Sequence, residues 1–485
     1  MVGIGERARA TPDAPALITL GTTTTFGELD ERQARLAGLL RAGGLHRGDR
    51  VAVYASNRPE LLEVTIGALR AGIVSVPVHA LLTHNEAAYI VEDSGARWLF
   101  TDGALDAPGL ERIVTFGDAY ERCLHEAEPE DISDLALTRP MHYTSGTTGR
   151  PKGVWVAPRS ESQAALASES FRAEWGLSSE DRHLVCSPLS HSAPHRYALR
   201  TLEAGGAVVL QARFDAAETV AAIDLFGITS TFMVPTHLER IFALGGRTLL
   251  RHDLSSLRLL AHAGAPVREE TKRRTIDTFG RGAVWEFYGS TEGQATRISA
   301  DEWLRKPGSV GTPRAGARIS ILDERGRSLE AGEVGEVWVA DEGAERFEYW
   351  GDAAATGGAW RDEAFTAGDL GWLDEHGYLF LTGRKGDRII SGGVNIYPQE
   401  VEDVLGEHPL VAEAMVFGAP SDEWGQEVRA LVVATSEELD VDELSAWTRP
   451  RLAGYKRPRR IEVVAELPRT PTGKLQRAIP WGIAT

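Results

Sequence analysis

Tyr143-Thr144-Ser145-Gly146-Thr147-Thr148-Gly149-Arg150-Pro151-Lys152-Gly153 follows apolar Met141 and precedes the strand-like run Val154-Trp155-Val156. Glycines let a backbone approach phosphate oxygens closely, and hydroxyls with free N–H groups can donate hydrogen bonds to them. Lys152 adds a positive charge suited to a triphosphate. The segment is not the P-loop of nucleotide hydrolases, which needs Gly-Lys-Ser/Thr opening a helix, and Gly473-Lys474-Leu475 fails that test too. A plain flexible linker is the alternative, but four Ser/Thr hydroxyls, three glycines, a proline and a lysine in this order argue against it.

Outward from this loop, the first third of the chain alternates strand and helix patterns. Arg50 to Tyr54 reads as a strand, Pro59 to Arg70 as a helix stopping at Gly72, Ile73 to Val78 as a strand, Asn85 to Asp93 as a helix and Arg97 to Thr101 as a strand. Such alternation predicts a parallel sheet with covering helices. The rhythm returns at Ala207 to Leu210 (strand), Ala216 to Phe226 (helix), Thr229 to Val234 (strand) and a helix from Pro235 through Leu244. From about Gly311 short strands with Gly turns take over (Arg318 to Leu322, Gly335 to Ala340, Gly377 to Thr382), which predicts a small β-rich subdomain. A further unit follows Arg384, with strand-like Arg388-Ile389-Ile390, a helix from Pro398 to Leu405 and an end near Ile479. The expected class is α/β: a large N-terminal domain of two α/β layers plus the β-rich subdomain, then a small mobile α+β C-terminal domain. The expected boundary divides 1–384 from 385–485.

A chain of 485 residues exceeds one ordinary core, which supports more than one domain. Its net charge of −18 argues against a general nucleic-acid binder, though local basic residues could still hold an anionic substrate. Only Cys123 and Cys186 are present, too few for a disulfide framework, and they have no zinc-type spacing. The opening Met1-Val2-Gly3-Ile4-Gly5-Glu6-Arg7 lacks a signal-peptide core, and no apolar run has the length of a membrane span. A cytoplasmic location is the expectation. A homodimer is left open.

Six further stretches stand out in chain order: Pro188-Leu189-Ser190-His191-Ser192-Ala193-Pro194; Gly264-Ala265-Pro266; Phe287-Tyr288-Gly289-Ser290-Thr291-Glu292-Gly293; Phe365-Thr366-Ala367-Gly368-Asp369-Leu370-Gly371; Gly383-Arg384 with Ser391-Gly392-Gly393-Val394-Asn395-Ile396-Tyr397-Pro398; and Pro468-Arg469-Thr470-Pro471-Thr472-Gly473-Lys474. With the first loop, and over nearly the whole chain, they resemble the adenylate-forming superfamily. That superfamily includes acyl-CoA ligases, peptide-synthetase adenylation domains and firefly luciferase, and the local pattern is most like bacterial acyl-CoA ligases.

The resemblance implies a set of roles. Thr144, Ser145, Gly146, Thr147, Thr148, Gly149 and Lys152 would hold the β- and γ-phosphates of ATP. Gly264, Ala265 and Pro266, with Phe287, Tyr288, Gly289 and Ser290, would enclose the adenine, Tyr288 by stacking on it, and Thr291 would hold a phosphate. Glu292 would supply an oxygen to Mg2+. Asp369 would accept hydrogen bonds from the ribose hydroxyls and Arg384 would touch ribose or phosphate; the family pattern has Thr where this chain has Ala367. Lys474 would be the catalytic lysine that bridges the substrate carboxylate and the α-phosphate. Catalytic roles are therefore expected for Lys474, Glu292, Thr144 and the gate residue His191.

The implied cofactors are ATP, Mg2+ and CoA, and the implied substrate is a small carboxylic acid. Its pocket would be walled by His191, Ser192, Ala193, Met233, Ala263, Gly264, Phe287 and Gly293. Several of these are small, so a fatty, aryl or polycyclic acid is expected. After adenylation the C-terminal domain would rotate and admit a thiol past Ser391, Gly392 and Gly393. The hinge position, two places after Arg384, is Gly386, where many relatives carry Lys or Asp. Glycine permits the rotation but lacks that charge. Two outcomes stay open: thioester formation with CoA by this chain, or adenylation followed by delivery to a carrier protein or partner ligase. A non-catalytic nucleotide sensor is a third reading, opposed by Glu292 and Lys474; luciferase-like oxygen chemistry is not excluded by any residue.

Overall fold

The computed structural model describes residues 3–144, 151–343, 345–391, 394–421, 424–469 and 475–477. The chain forms two compact units, Met1–Arg305 with Gly343–Gly358, and Lys306–Glu342 with Ala359–Thr485.

The first unit contains the two expected α/β layers. In one sheet Arg50–Ala55 lies between Val74–His79 and Trp98–Thr101, with Arg112–Thr115 at the edge, all parallel. The crossovers are helices with legible ends. Pro59 sits in the first turn of Pro59–Arg70, where its missing N–H costs nothing. Thr83 and Glu86 form a capping box at the start of His84–Ser94, and Gly95 closes it in the left-handed conformation. Val51, Val53, Leu62, Ile66, Leu69 and Ile73 are fully buried between sheet and helices. Each contributes roughly 1.5–3 kcal/mol of transfer free energy.

The second sheet runs Gln294–Ser299, Val284–Gly289, Leu259–His262, Ser230–Met233, Arg182–Val185, Ala207–Leu210, Pro15–Ile18 and Thr23–Thr25. Its interior is parallel and its two ends are antiparallel. Ala207–Leu210, Ser230–Met233 and Leu259–His262 are buried along their whole length, as strands covered on both faces must be. The helices Ala216–Phe226 and Pro235–Ala243 fall where their apolar spacing predicts.

A small antiparallel sheet orders Phe347–Tyr349, Lys152–Val156 and His142–Thr144. Its first strand was not expected here. The β-rich texture after Gly311 reads as one subdomain, yet Gly343–Gly358 belongs to the first unit, and Tyr349 pairs with Val154.

The second unit has two sheets. Gly335–Asp341 is central to one, flanked by Ala317–Leu322, Ala364–Phe365 and Asp369–Leu373, the last pairing onward with Leu379–Arg384. The other joins Val394–Ile396, Ile389–Ser391, Gly425–Ala434 and Val411–Ser421, with Arg460–Val463 parallel to Gly425–Ala434. Helices Pro398–Gly406 and Val441–Thr448 cover a core of Ile389, Ile396, Val401, Leu405, Val416 and Leu444. Among the described residues no helix is long and apolar enough to cross a membrane.

Candidate active site

The first loop is the connection of a β-hairpin. His142, Tyr143 and Thr144 pair in register with Val154, Gly153 and Lys152, so Thr144 and Lys152 stand opposite each other where the connection starts and ends. Residues 145–150, which include Ser145, Gly146, Thr147, Thr148 and Gly149, lie outside the described residues. The hairpin is anchored from below. The Met141 N–H donates to the Ser75 carbonyl at 2.8 Å, and the Tyr143 hydroxyl donates to Asp93 at 2.6 Å. A Cβ on Gly153 would stand 3.0 Å from the Tyr143 ring, so the small residue lets that ring lie flat across the strand pair.

The second stretch is a turn between Val284–Gly289 and Gln294–Ser299. The Ser290 N–H donates to the Gly293 carbonyl at 2.8 Å, which closes the turn with Thr291 and Glu292 at its tip. Gly289 admits no side chain, since a Cβ would sit 2.8 Å from Gln294 Cα. Thr291 Oγ1 lies 3.4 Å from Ser192 Oγ, and its carbonyl accepts from Arg139 at 3.3 Å. The Arg139 guanidinium is pushed down to about 9 by burial, then by the neighbouring Arg196 and Arg159 charges.

Glu292 is 7% exposed, and its Oε1 accepts from the Tyr349 hydroxyl at 2.8 Å. Among the described residues Oε2 has no hydrogen bond and no cation lies within ion-pair distance. Lys152 instead pairs with Asp352 at 3.1 Å, and its ammonium stands 5.5 Å from the Tyr349 ring centroid. A buried carboxylate with one oxygen unengaged beside a phosphate-type hairpin fits Mg2+, a hard cation that takes oxygen ligands.

Of the residues expected to wall the acid pocket, His191 and Ser192 lie at the N-terminus of the helix Ser192–Glu203. His191 is its N-cap, with its ring 5.4 Å from that of His79. Ala193, Ala263 and Phe287 pack together with Phe171, Trp175, Tyr197 and Phe232. The Phe287 centroid is 5.8 Å from Trp175 and 5.9 Å from Phe232. Met233 is fully buried at its strand end, Gly293 and Tyr288 are half-buried, and Gly264, Ala265 and Pro266 are exposed. Gly264 has φ +91°, a conformation suited to glycine. Behind the helix His142 is buried and donates from Nδ1 to the Ser190 carbonyl at 2.9 Å. Burial, then the neighbouring His195, holds His142 well below the usual histidine range, so it is neutral scaffolding.

In the second unit, Asp369 and Arg384 are cross-strand partners, and Arg384 Nε donates to Asp369 Oδ1 at 3.0 Å. Asp369 is buried at 8% exposure. Lys385 pairs with Glu336 at 3.1 Å, and Gly386 is exposed in the turn that follows. Ser391 ends the strand Ile389–Ser391; Gly392 and Gly393 lie outside the described residues. So does Lys474, although the flanking Arg469 and Leu475 form an antiparallel bridge. The Gln476 N–H donates to the Pro468 carbonyl at 2.9 Å, and Arg477 pairs with Glu402 at 2.7 Å.

Residues 4–346 match the family described as AMP-binding enzyme, and residues 400–474 match the AMP-binding enzyme C-terminal domain. The chain belongs to the AMP-binding enzymes. A feruloyl-CoA synthase of Amycolatopsis sp is 37% identical across 97% of this chain and 96% of its own. The fatty acid–[acyl-carrier-protein] ligase ScoC of Streptomyces coeruleorubidus is 34% identical across 97% and 93%. The o-succinylbenzoate CoA synthetase of Bacillus subtilis is 30% identical over 98% of this chain. It superposes with TM-scores of 0.87 in complex with its acyl-adenylate (97% of that chain) and 0.86 with ATP and magnesium ion (98%).

Several residues around the candidate site escaped sequence reasoning. Tyr349 and Asp352 lie in a segment whose only local cue is the apolar–polar–apolar run Phe347-Glu348-Tyr349. Arg139 precedes the first loop and carries no motif. Lys272 is fully buried, 3.2 Å from Glu286 and hydrogen-bonded to His262 Nε2. These three side chains tie the helix Glu269–Phe279 to the strands leading into Ala263-Gly264-Ala265-Pro266 and into Phe287-Tyr288-Gly289.

Proposed function

We infer that this AMP-binding enzyme is an acid–CoA ligase. It activates a hydrophobic carboxylic acid with ATP and Mg2+ to acyl-AMP, releases pyrophosphate, and transfers the acyl group to CoA. The observation that carries the reading is the meeting of a phosphate-type hairpin, its Lys152 and the partly unengaged Glu292 carboxylate around one residue, Tyr349.

A carboxylate oxygen attacks the α-phosphorus, the bond to the bridging oxygen of the β-phosphate breaks, and pyrophosphate departs. Two anions approach each other, so positioning and charge neutralisation supply most of the catalysis. Mg2+ held at Glu292 would offset charge on the leaving pyrophosphate. On this reading Glu292 binds the metal–nucleotide pair, Lys152 and the hairpin connection hold the outer phosphates, and Thr291 with Ser192 faces the α-phosphate. Asp369, oriented by Arg384, accepts from the ribose hydroxyls, and Lys474 bridges carboxylate and α-phosphate. No side-chain base is required, because the attacking carboxylate is already ionised. The boundary at 385 with Gly386 as hinge is part of the same reading. The wall of Phe287, Ala193 and Ala263 supports a fatty, aryl or polycyclic acid.

Gly386 favours a second reading, in which the acyl-adenylate passes to a carrier protein or partner ligase. One experiment separates the two. The protein is given a panel of such acids with ATP, Mg2+ and CoA, and pyrophosphate and acyl-CoA are both measured. Equal amounts of the two products are expected. Pyrophosphate without thioester would overturn CoA ligation in favour of the second reading, and no acid-dependent pyrophosphate would overturn adenylation itself.

A further inference from the structure

Both adenylation stretches are touched by a third piece of chain that neither motif contains. Tyr349 pairs by its backbone with Val154, on the strand that begins at Lys152. Its N–H donates to Thr356 Oγ1 at 2.9 Å, which fixes the residue from the other side. From this position its hydroxyl donates to Glu292 Oε1 at 2.8 Å, and its ring lies 5.5 Å from the Lys152 ammonium. Asp352, three residues on, takes the Lys152 charge at 3.1 Å.

We propose that Tyr349 is a positioning residue for the Glu292 carboxylate in binding the metal–nucleotide substrate, and that Tyr349 with Asp352 keeps Glu292 and Lys152 from pairing with each other. The proposal rests on the reading of Glu292 as the metal-binding carboxylate. A phenol donates one proton, so it engages one carboxylate oxygen and leaves the other to a ligand. A neutral donor also leaves the carboxylate its full negative charge, whereas a direct Lys152–Glu292 ion pair would cancel the charge needed for a divalent cation and the charge needed for phosphate at once. Partners that orient a metal-binding side chain in this way typically govern metal affinity as well as geometry.

The test is calorimetric binding of ATP with Mg2+ and of ATP with EDTA, on the full chain and on Tyr349→Phe, Glu292→Gln and the double variant. Phe keeps the ring against Lys152 and removes only the hydroxyl. Tyr349→Phe is expected to weaken Mg2+-ATP binding about tenfold and leave metal-free ATP binding unchanged. Glu292→Gln should lose at least as much, and the double variant no more than Glu292→Gln alone. If Glu292→Gln weakens Mg2+-ATP but Tyr349→Phe does not, or if Tyr349→Phe weakens both forms of ATP equally, the positioning role is overturned. If Glu292→Gln leaves Mg2+-ATP binding intact, the fault lies with the metal assignment, and the proposal falls with it.

Discussion

Glu286 and Glu292 belong to one hairpin, and their surroundings are opposite. Glu286 lies within the strand, buried against Lys272 at 3.2 Å, with His262 beside them both. Glu292 lies at the turn, equally hidden from water, but it meets one neutral hydroxyl and no cation among the described residues. Burial pushes the Glu286 carboxyl up and the Lys272 ammonium down, and each charge opposes the other's shift. The first site pairs its charges with each other. The second has a charge left over, which in a protein interior is costly unless a ligand completes it. On the proposed reading, the difference separates charges that hold the turns in place from charges that hold the nucleotide.

The largest effect should come from breaking the paired site. Lys272→Met removes one partner and leaves Glu286 buried without its cation, a loss of about 3–5 kcal/mol in unfolding free energy. Denaturant unfolding measures it, and a loss no greater than that of an exposed lysine would place the cluster among solvent-screened charges.

A smaller effect sharpens the same distinction with a titrating group. His195 is buried in the helix Ser192–Glu203, and burial, then Arg196, pushes it down to about 4. Below the unfolded value of roughly 6.5 the unfolded chain binds a proton that the folded chain refuses. Its contribution to stability is therefore lost as pH falls from 6.5 toward 4, by about 1.4 kcal/mol per pH unit. His195→Gln should flatten the stability–pH curve by one proton in that window, as read from denaturant unfolding at pH 7, 6 and 5. An unchanged slope would mean that His195 is protonated in the fold.

Much of this was legible in the sequence because local signals were mutually consistent. The helices Pro59–Arg70 and Ala216–Phe226 have the bounds that their proline, cap and glycine residues dictate. The alternation of strands and helices gives the first sheet and the parallel interior of the second, and the Phe287-to-Gly293 stretch falls at a strand end and turn. Two features were hidden for physical reasons. Phe347–Tyr349 finds its partner at Lys152–Val156, and nothing in a three-residue strand specifies pairing across so long a separation. Lys272 stands in Glu-Glu-Thr-Lys-Arg-Arg, a run whose composition reads as a solvated face. Its place beside Thr271, Thr275, Ile276 and Phe279 on the buried face says otherwise, but only Glu286, on another strand, makes a buried lysine tolerable.

The most direct test of the contrast is to make the same change on both sides of it. Glu286→Gln and Glu292→Gln are compared by unfolding free energy and by acid-dependent ATP–pyrophosphate exchange. Glu286→Gln should cost about 3 kcal/mol in stability, because Lys272 is left buried and unpaired. Glu292→Gln should change stability by less than about 1 kcal/mol, since an amide oxygen still accepts from Tyr349, while exchange falls about 100-fold. Undiminished exchange in Glu292→Gln, or a stability loss there as large as in Glu286→Gln, would contradict the assignment of Glu292 to the substrate.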